Sequence, residues 1–323
     1  MNTTLGPRNL GDILSETFTI YKRNFLRLIA IMSIVMVPFA VVLIISLSLL
    51  IPTYGEPWTE APSPFMLLIL IPIYFAFFAA SVLMVGAVIH AAAQQYFNQP
   101  VSTGRAYSFA WRRLGDMFWA LVLAWLAIGG IYLAAISISV IIAVAIGGTY
   151  SWLIGFGVAF LLIFLVAPAA IYLGTIWNFI GQTALLEGCG PTTALSRSAV
   201  LVKGSWWRVL GIVLLLLTIA SIIGMIFYTP RIIVYMPKII VAVNQATTGF
   251  IPYATTEPTS WTMIAASICA LIGYIVYIPI FTIGHTLLYF DLRVRKQGYS
   301  LDALANDLGL ITTSADTAAS PTE

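Results

Sequence analysis

The chain has two histidines among its 323 residues, and their surroundings give them a common setting. His285 stands in Gly284-His285-Thr286 and Gln182 in the matching Gly181-Gln182-Thr183, while His90 closes an apolar run in a comparable place. Imidazole and carboxamide groups donate and accept hydrogen bonds without a fixed charge, so His90, Gln182 and His285 together would offer a neutral polar cluster to a head group or solute. The competing reading is structural, each side chain bonding only to a neighbouring helix. Glu187 and Asp291, with Arg197 and Arg293 close in sequence, suit either an anion-binding or switching network or ion pairs that fix short helices. No CxxC, GxSxG, P-loop or HExxH pattern occurs, and two histidines and two cysteines are too few for a metal centre or a disulfide framework. No catalytic residue, metal or cofactor is expected, and no nucleic-acid partner.

The elements that position these residues belong in a bilayer. Hydrophobic residues make up 60% of the chain and charged residues 8%, with a mean hydropathy of +0.99. Soluble domains carry about 25% charged residues, so a water-facing globule is excluded. Six segments are long and apolar enough to cross, at about Leu28–Ile51, Phe65–Ile89, Met117–Ile146, Ser151–Ile180, Val209–Thr229 and Trp261–Gly284, and none contains Asp, Glu, Lys or Arg. Gly147–Tyr150 joins the third and fourth in a tight hairpin, and Pro38, Pro72, Pro168 and Pro279 predict kinks within spans. The first segment exceeds the roughly 7–15 residues of a signal h-region and lacks a cleavage site, so it reads as an anchor that stays. Asn178 is the one strongly polar side chain, hydroxyls aside, well inside a span. Cys189 falls in a loop and Cys269 in a span, so they do not pair.

Basic residues set the orientation, because translocated short loops avoid Lys and Arg. Arg8, Lys22, Arg23 and Arg27, then Arg105, Arg112 and Arg113, then Arg197, Lys203 and Arg208, then Arg293, Arg295 and Lys296 all fall on one side. Only Arg231 and Lys238 face the other way, which places both termini in the cytoplasm. The stretch from Arg231 to Ala246, within an outer loop spanning 230–260, reads as lying on the outer leaflet or plugging the bundle from outside.

Before each odd-numbered span lies an amphipathic stretch with a basic end, at residues 10–27, 102–114 and 191–203, predicting helices along the cytoplasmic interface. The basic ends recur at Lys22, Arg112 and Lys203, spacings of 90 and 91 residues, each followed by an aromatic at the head of a span. This period predicts three parallel units of interfacial helix plus transmembrane hairpin, at about 10–101, 102–190 and 191–300. The generic habit of placing basic anchors before spans would give a similar pattern. The fold class expected is therefore all-α and polytopic, one membrane domain over 1–310. Ser300 is placed to cap a short helix closed by Gly309, and 311–323 forms a disordered tail.

Four stretches carry a family resemblance. They are Leu10-Gly11-Asp12-Ile13-Leu14 with Tyr21-Lys22-Arg23-Asn24-Phe25; Glu187-Gly188-Cys189-Gly190-Pro191 with Ala194-Leu195 and Arg197-Ser198; Leu201-Val202-Lys203-Gly204-Ser205-Trp206-Trp207-Arg208; and Leu288-Tyr289-Phe290-Asp291-Leu292-Arg293-Val294-Arg295-Lys296. Together they resemble bacterial membrane proteins related to the membrane domain of glycerophosphoryl diester phosphodiesterases. The resemblance implies the six-span fold and a bacterial cell membrane. It does not carry the hydrolase chemistry, which needs a separate soluble barrel of about 250 residues that this chain lacks.

Each Lys or Arg near an anionic leaflet contributes about 1 kcal/mol of attraction, so Lys22, Arg23, Arg112, Arg113, Lys203, Arg208, Arg293, Arg295 and Lys296 are candidate contacts for anionic phospholipid. The function expected is non-enzymatic, organising or binding lipid or a partner protein. A transporter, exporter or lipid translocator is the alternative. Repeats favour it, and the absence of charge inside every span counts against it.

Overall fold

The computed structural model describes residues 9–50, 64–146, 151–248 and 260–298. Among them the chain is helical, in the order α1 (Leu10–Arg23), α2 (Phe25–Leu50), α3 (Pro64–Tyr96), α4 (Thr103–Arg112), α5 (Leu114–Ile146), α6 (Ser151–Ile176), α7 (Ile180–Gln182), a π turn (Thr183–Glu187), α8 (Pro191–Val202), α9 (Trp206–Thr248) and α10 (Ser260–Gln297). Among the described residues six helices are long and apolar enough to cross a membrane. The chain is an integral, multi-pass, all-helical membrane protein. Gly147–Tyr150, the expected helix from Ser300 and the tail from 311 lie outside the described residues.

The three short amphipathic helices form where the sequence places them. In α1, Asp12 accepts a hydrogen bond from the Asn9 N–H at 2.9 Å, and Lys22 and Arg23 close the last turn, as the helix dipole favours. A single residue separates α1 from α2 and α4 from α5, and the two breaks share a backbone conformation: Asn24 at φ −119°, ψ 19° and Arg113 at φ −115°, ψ 10°. The third break, at Lys203, differs and is followed by Gly204 at φ +81°.

Packing follows the chain around and returns to its start. Within hairpins α2 packs on α3, α5 on α6 and α9 on α10; between hairpins α3 meets α5, α6 meets α9 and α10 meets α2. The short helices repeat the pattern, with α4 on α3, α8 on α6, α7 and the π turn, and α1 on α10. Two phenols pin short helices to spans: the Tyr21 hydroxyl donates to the Val276 carbonyl at 3.0 Å and that of Tyr107 to Ile31 at 2.6 Å. Burial pushes both phenols up to about 12, so they remain donors at any physiological pH.

Several boundaries differ from the sequence reading: the first short helix ends at Arg23 rather than 27, and span two runs past Ile89 to Tyr96. Span four breaks after Ile176 rather than running to Ile180. The last span continues from Gly284 to Gln297, and span five passes Pro230 and Pro237 to reach Thr248, so 230–248 is helix and not loop. Arg231 is tolerated in α9 because its guanidinium lies over the Tyr228 ring at 5.8 Å and the Tyr235 ring at 5.6 Å, one turn to either side. At 43 residues and about 1.5 Å per residue, α9 is near 65 Å long, about twice the hydrocarbon thickness.

The α9–α10 hairpin depends on glycine. A Cβ on Gly273 would come 2.5 Å from Phe227 Cβ, and one on Gly224 would come 2.8 Å from the Tyr277 ring. Gly273→Ala should therefore cost about 1–3 kcal/mol through overpacking, read as a fall in the melting temperature of the purified protein. Gly129→Ala, where a Cβ meets nothing within 4 Å, is the matched control and should leave it unchanged.

Candidate functional site

The site is built on the break in span four. After Ile176 the backbone turns through Trp177, Asn178 and Phe179 before α7 and the π turn resume it, so several backbone groups lose their helical partners. Ser198 on α8 replaces them: its Oγ accepts from the Phe179 N–H at 3.1 Å and donates to the Ile176 carbonyl at 2.8 Å. Thr183 Oγ1 bridges to the same helix, within 3.2 Å of the Ala194 carbonyl, and lies 3.1 Å from the carbonyls of Phe179 and Ile180. Pro191 at the start of α8 supplies a fixed φ where no N–H is required.

The break turns Asn178 and Gln182 toward α10. Gln182 Nε2 donates to His285 Nδ1 at 2.8 Å, and His285 Nε2 donates to Asn178 Oδ1. With Nδ1 accepting, the proton lies on Nε2, so the three side chains form a neutral chain with both ring nitrogens used. Phe179 and Phe281 stack on the imidazole at 4.8 and 5.5 Å between centroids. The structure thus brings Gln182 and His285 together and adds Asn178. His90 is buried as well, but it stacks on Phe109 of α4 at 4.1 Å, and its Nδ1 has no hydrogen-bond partner. Phe109 in turn carries the Arg113 guanidinium at 5.7 Å, on the way to the Gly188 turn.

One turn further along, the carboxylates are enclosed. Glu187 Oε1 accepts from the Tyr289 hydroxyl at 2.7 Å and Oε2 from Arg197 Nε at 2.8 Å, with Arg293 Nε at 3.8 Å. Gly188, at φ +65°, ends the π turn, and a Cβ there would overlap the Arg113 guanidinium, so only glycine lets that arginine close over the turn. Asp291, 1% exposed at its side chain, accepts from Arg208 Nη2 at 2.9 Å and from Arg295 Nε at 2.9 and 3.0 Å. Lys296 Nζ donates to the Val200 carbonyl at 3.3 Å and to that of Lys203, tying α10 to the end of α8.

The cations expected to contact lipid fall into different settings. Arg293 is 2% exposed and held by Glu187 and by Gln297 Oε1 at 2.9 Å, because continuation of α10 past Gly284 carries it into the bundle. Arg113 and Arg208 are half-buried and engaged within the protein; Arg295 and Lys296 have partners there too but stay exposed, as do Lys22, Arg23, Arg112 and Lys203. Sequence reasoning missed Ser198 and Thr183, since neither hydroxyl carries a signal of the break in its sequence surroundings, and Ser198 lies 19 residues beyond Phe179. Comparison with family models, characterised proteins and solved structures finds no match to the chain.

Two measurements follow from this geometry. Ser198→Ala strips the Phe179 N–H and the Ile176 carbonyl of their partner and should cost about 1–3 kcal/mol, a clear fall in melting temperature. Ser196→Ala, two residues away with its hydroxyl bonded to Thr193 of its own helix, should be near neutral. The second concerns Cys189, whose thiol is pushed up from its ordinary value by burial and then by the Glu187 charge. In a Cys269→Ser background, Glu187→Gln should lower that thiol's pKa and speed maleimide alkylation severalfold at pH 8. A slower or unchanged rate would show that the acid does not govern the thiol.

Proposed function

We propose that the chain is a non-enzymatic component of a bacterial cell membrane that binds anionic phospholipid at the cytoplasmic ends of its spans, both termini lying in the cytoplasm. The relationship to the membrane domain of glycerophosphoryl diester phosphodiesterases that this proposal includes rests on the sequence resemblance. The observation that carries it is the division of the cations. Arg197, Arg208, Arg293 and Arg295 are spent on the buried acids Glu187 and Asp291, while Lys22, Arg23, Arg27, Arg112 and Lys203 face outward beside exposed apolar residues such as Trp111 and Trp207. Cations with adjacent aromatic anchors suit the head-group layer of an anionic leaflet. The neutral chain Asn178–His285–Gln182 supports the non-enzymatic part at this site, since both ring nitrogens of His285 are occupied by side-chain partners.

Native mass spectrometry of the full chain, purified in mild detergent from membranes containing phosphatidylglycerol and phosphatidylethanolamine, tests the proposal. Retention of the anionic lipid over the zwitterionic one is expected; equal retention or none would overturn it.

A second reading, a transporter, is favoured by the break in span four, because discontinuous helices with polar side chains at the break recur at substrate sites. Asn178→Cys in a background lacking the other cysteines separates the two. Labelling by membrane-impermeant reagents supports a water-filled path; complete protection excludes one at this site.

A further inference from the structure

A cleft of about 630 Å³ opens where α1 passes into α2 and where α3 ends. Its lining includes Lys22, Arg23 and Arg27 from the first junction and Gln95, Asn98 and Gln99 from the second. No carboxylate lines it, and among the described residues none of the three cations stands in an ion pair. The nearest acids in sequence, Asp12 and Glu16, lie at least one and a half turns back along α1, and Asp12 is bonded to the Asn9 N–H.

The contrast with the other hairpin ends is physical. Around Glu187 and Asp291, Arg197, Arg208, Arg293 and Arg295 each meet an internal anion, whereas here three cations crowd one junction with none. Two of them suit the C-terminal dipole of α1, but Arg27 sits in the first turn of α2, where the dipole disfavours positive charge. An anion in the cleft relieves both the mutual repulsion and that mismatch. The first turn of α2 also lines the cleft, the end of a helix whose N–H groups lack intrahelical acceptors.

The opposite wall is shaped for donors. α3 closes with the Gln99 N–H on the Gln94 carbonyl at 2.8 Å and the Asn98 N–H on the Gln95 carbonyl at 3.0 Å, with Asn98 at φ +57°. This Schellman closure satisfies carbonyls that would otherwise repel an anion and leaves three carboxamides at the cleft. Phe25 and Leu26, the latter 79% exposed, border the same opening with apolar surface.

We propose that this cleft is a binding site for a phosphate group, held by Lys22, Arg23 and Arg27 and by the carboxamides of Gln95, Asn98 and Gln99. The group is carried by an anionic lipid or arrives as free phosphate. The inference rests on the reading of the protein as a binder of anionic lipid and narrows it from a diffuse basic face to one built site.

The test uses the full chain in detergent and calorimetric binding of three probes: dihexanoyl phosphatidylglycerol, dihexanoyl phosphatidylcholine and inorganic phosphate. Wild type should prefer the glycerol lipid over the choline lipid at least tenfold. Neutralising Lys22, Arg23 and Arg27 to glutamine should reduce that affinity by about a hundredfold, near fivefold per cation. Arg105→Gln, an exposed cation outside the cleft and outside the expected lipid contacts, should reduce it less than about twofold. Because basic residues also direct topology, Gln99→Glu serves as a second variant that leaves every cation in place; its carboxylate should repel phosphate and cost about tenfold. Displacement of the lipid by inorganic phosphate, lost in the same variants, assigns the site to free phosphate as well; failure of phosphate to bind assigns it to the lipid. If wild type prefers neither anion, the lipid-binding reading itself falls. If it prefers the anionic lipid but the triple variant loses no more affinity than Arg105→Gln does, or Gln99→Glu binds as wild type, the face is diffuse and the cleft is not a site.

Discussion

A peptide group inside hydrocarbon has no water to turn to, and this requirement governs the core of the molecule. Span four interrupts its own ladder after Ile176, an arrangement that hydrocarbon tolerates only if another element restores the lost bonds. Ser198 restores two of them, accepting from one side of the break and donating to the other, and Thr183 reaches Ala194 on the same short helix. Helix α8 is therefore part of span four in the sense that matters energetically. The break in turn rotates Asn178 and Gln182 onto His285 and starts the π turn that delivers Glu187 to Tyr289 and Arg197.

Charge is handled by enclosure where the chain has acids and by exposure where it does not. Glu187 and Asp291 are expensive to bury alone, and each is met by more than one arginine, so the desolvation cost is offset by bonds of good geometry. At the α1–α2 junction no acid is available, and Lys22 and Arg23 stay outside. One chain thus presents two kinds of basic end, one closed on itself and one open.

Much of the architecture was legible because hydropathy and amphipathic period report directly on burial in lipid. The six spans and the short helices at 10–23, 103–112 and 191–202 follow from that signal. What escaped were features set by contacts distant in sequence. The break at Trp177–Phe179 contains no glycine or proline, while Pro168, which signals a distortion, lies inside α6. Pro230 and Arg231 read as a helix end, yet two tyrosines one turn away hold the arginine against the helix. Arg293 reads as a surface cation because its sequence neighbours are basic; only the path of α10 shows it buried. The matching contexts of His90, Gln182 and His285 led to all three, but side-chain partners, which pattern does not encode, joined only two of them to each other.

Dependence of span four on Ser198 also has a meaning for synthesis. Phe179 precedes its partner by 19 residues, so at ribosomal rates of about 5–20 residues per second the interrupted turn exists for roughly one to four seconds before the serine is made. During that interval the segment has a ready partner only in water or in the insertion machinery. Its release into lipid is then expected to wait on the chain behind it, and the order of manufacture becomes part of how this helix is allowed to be broken.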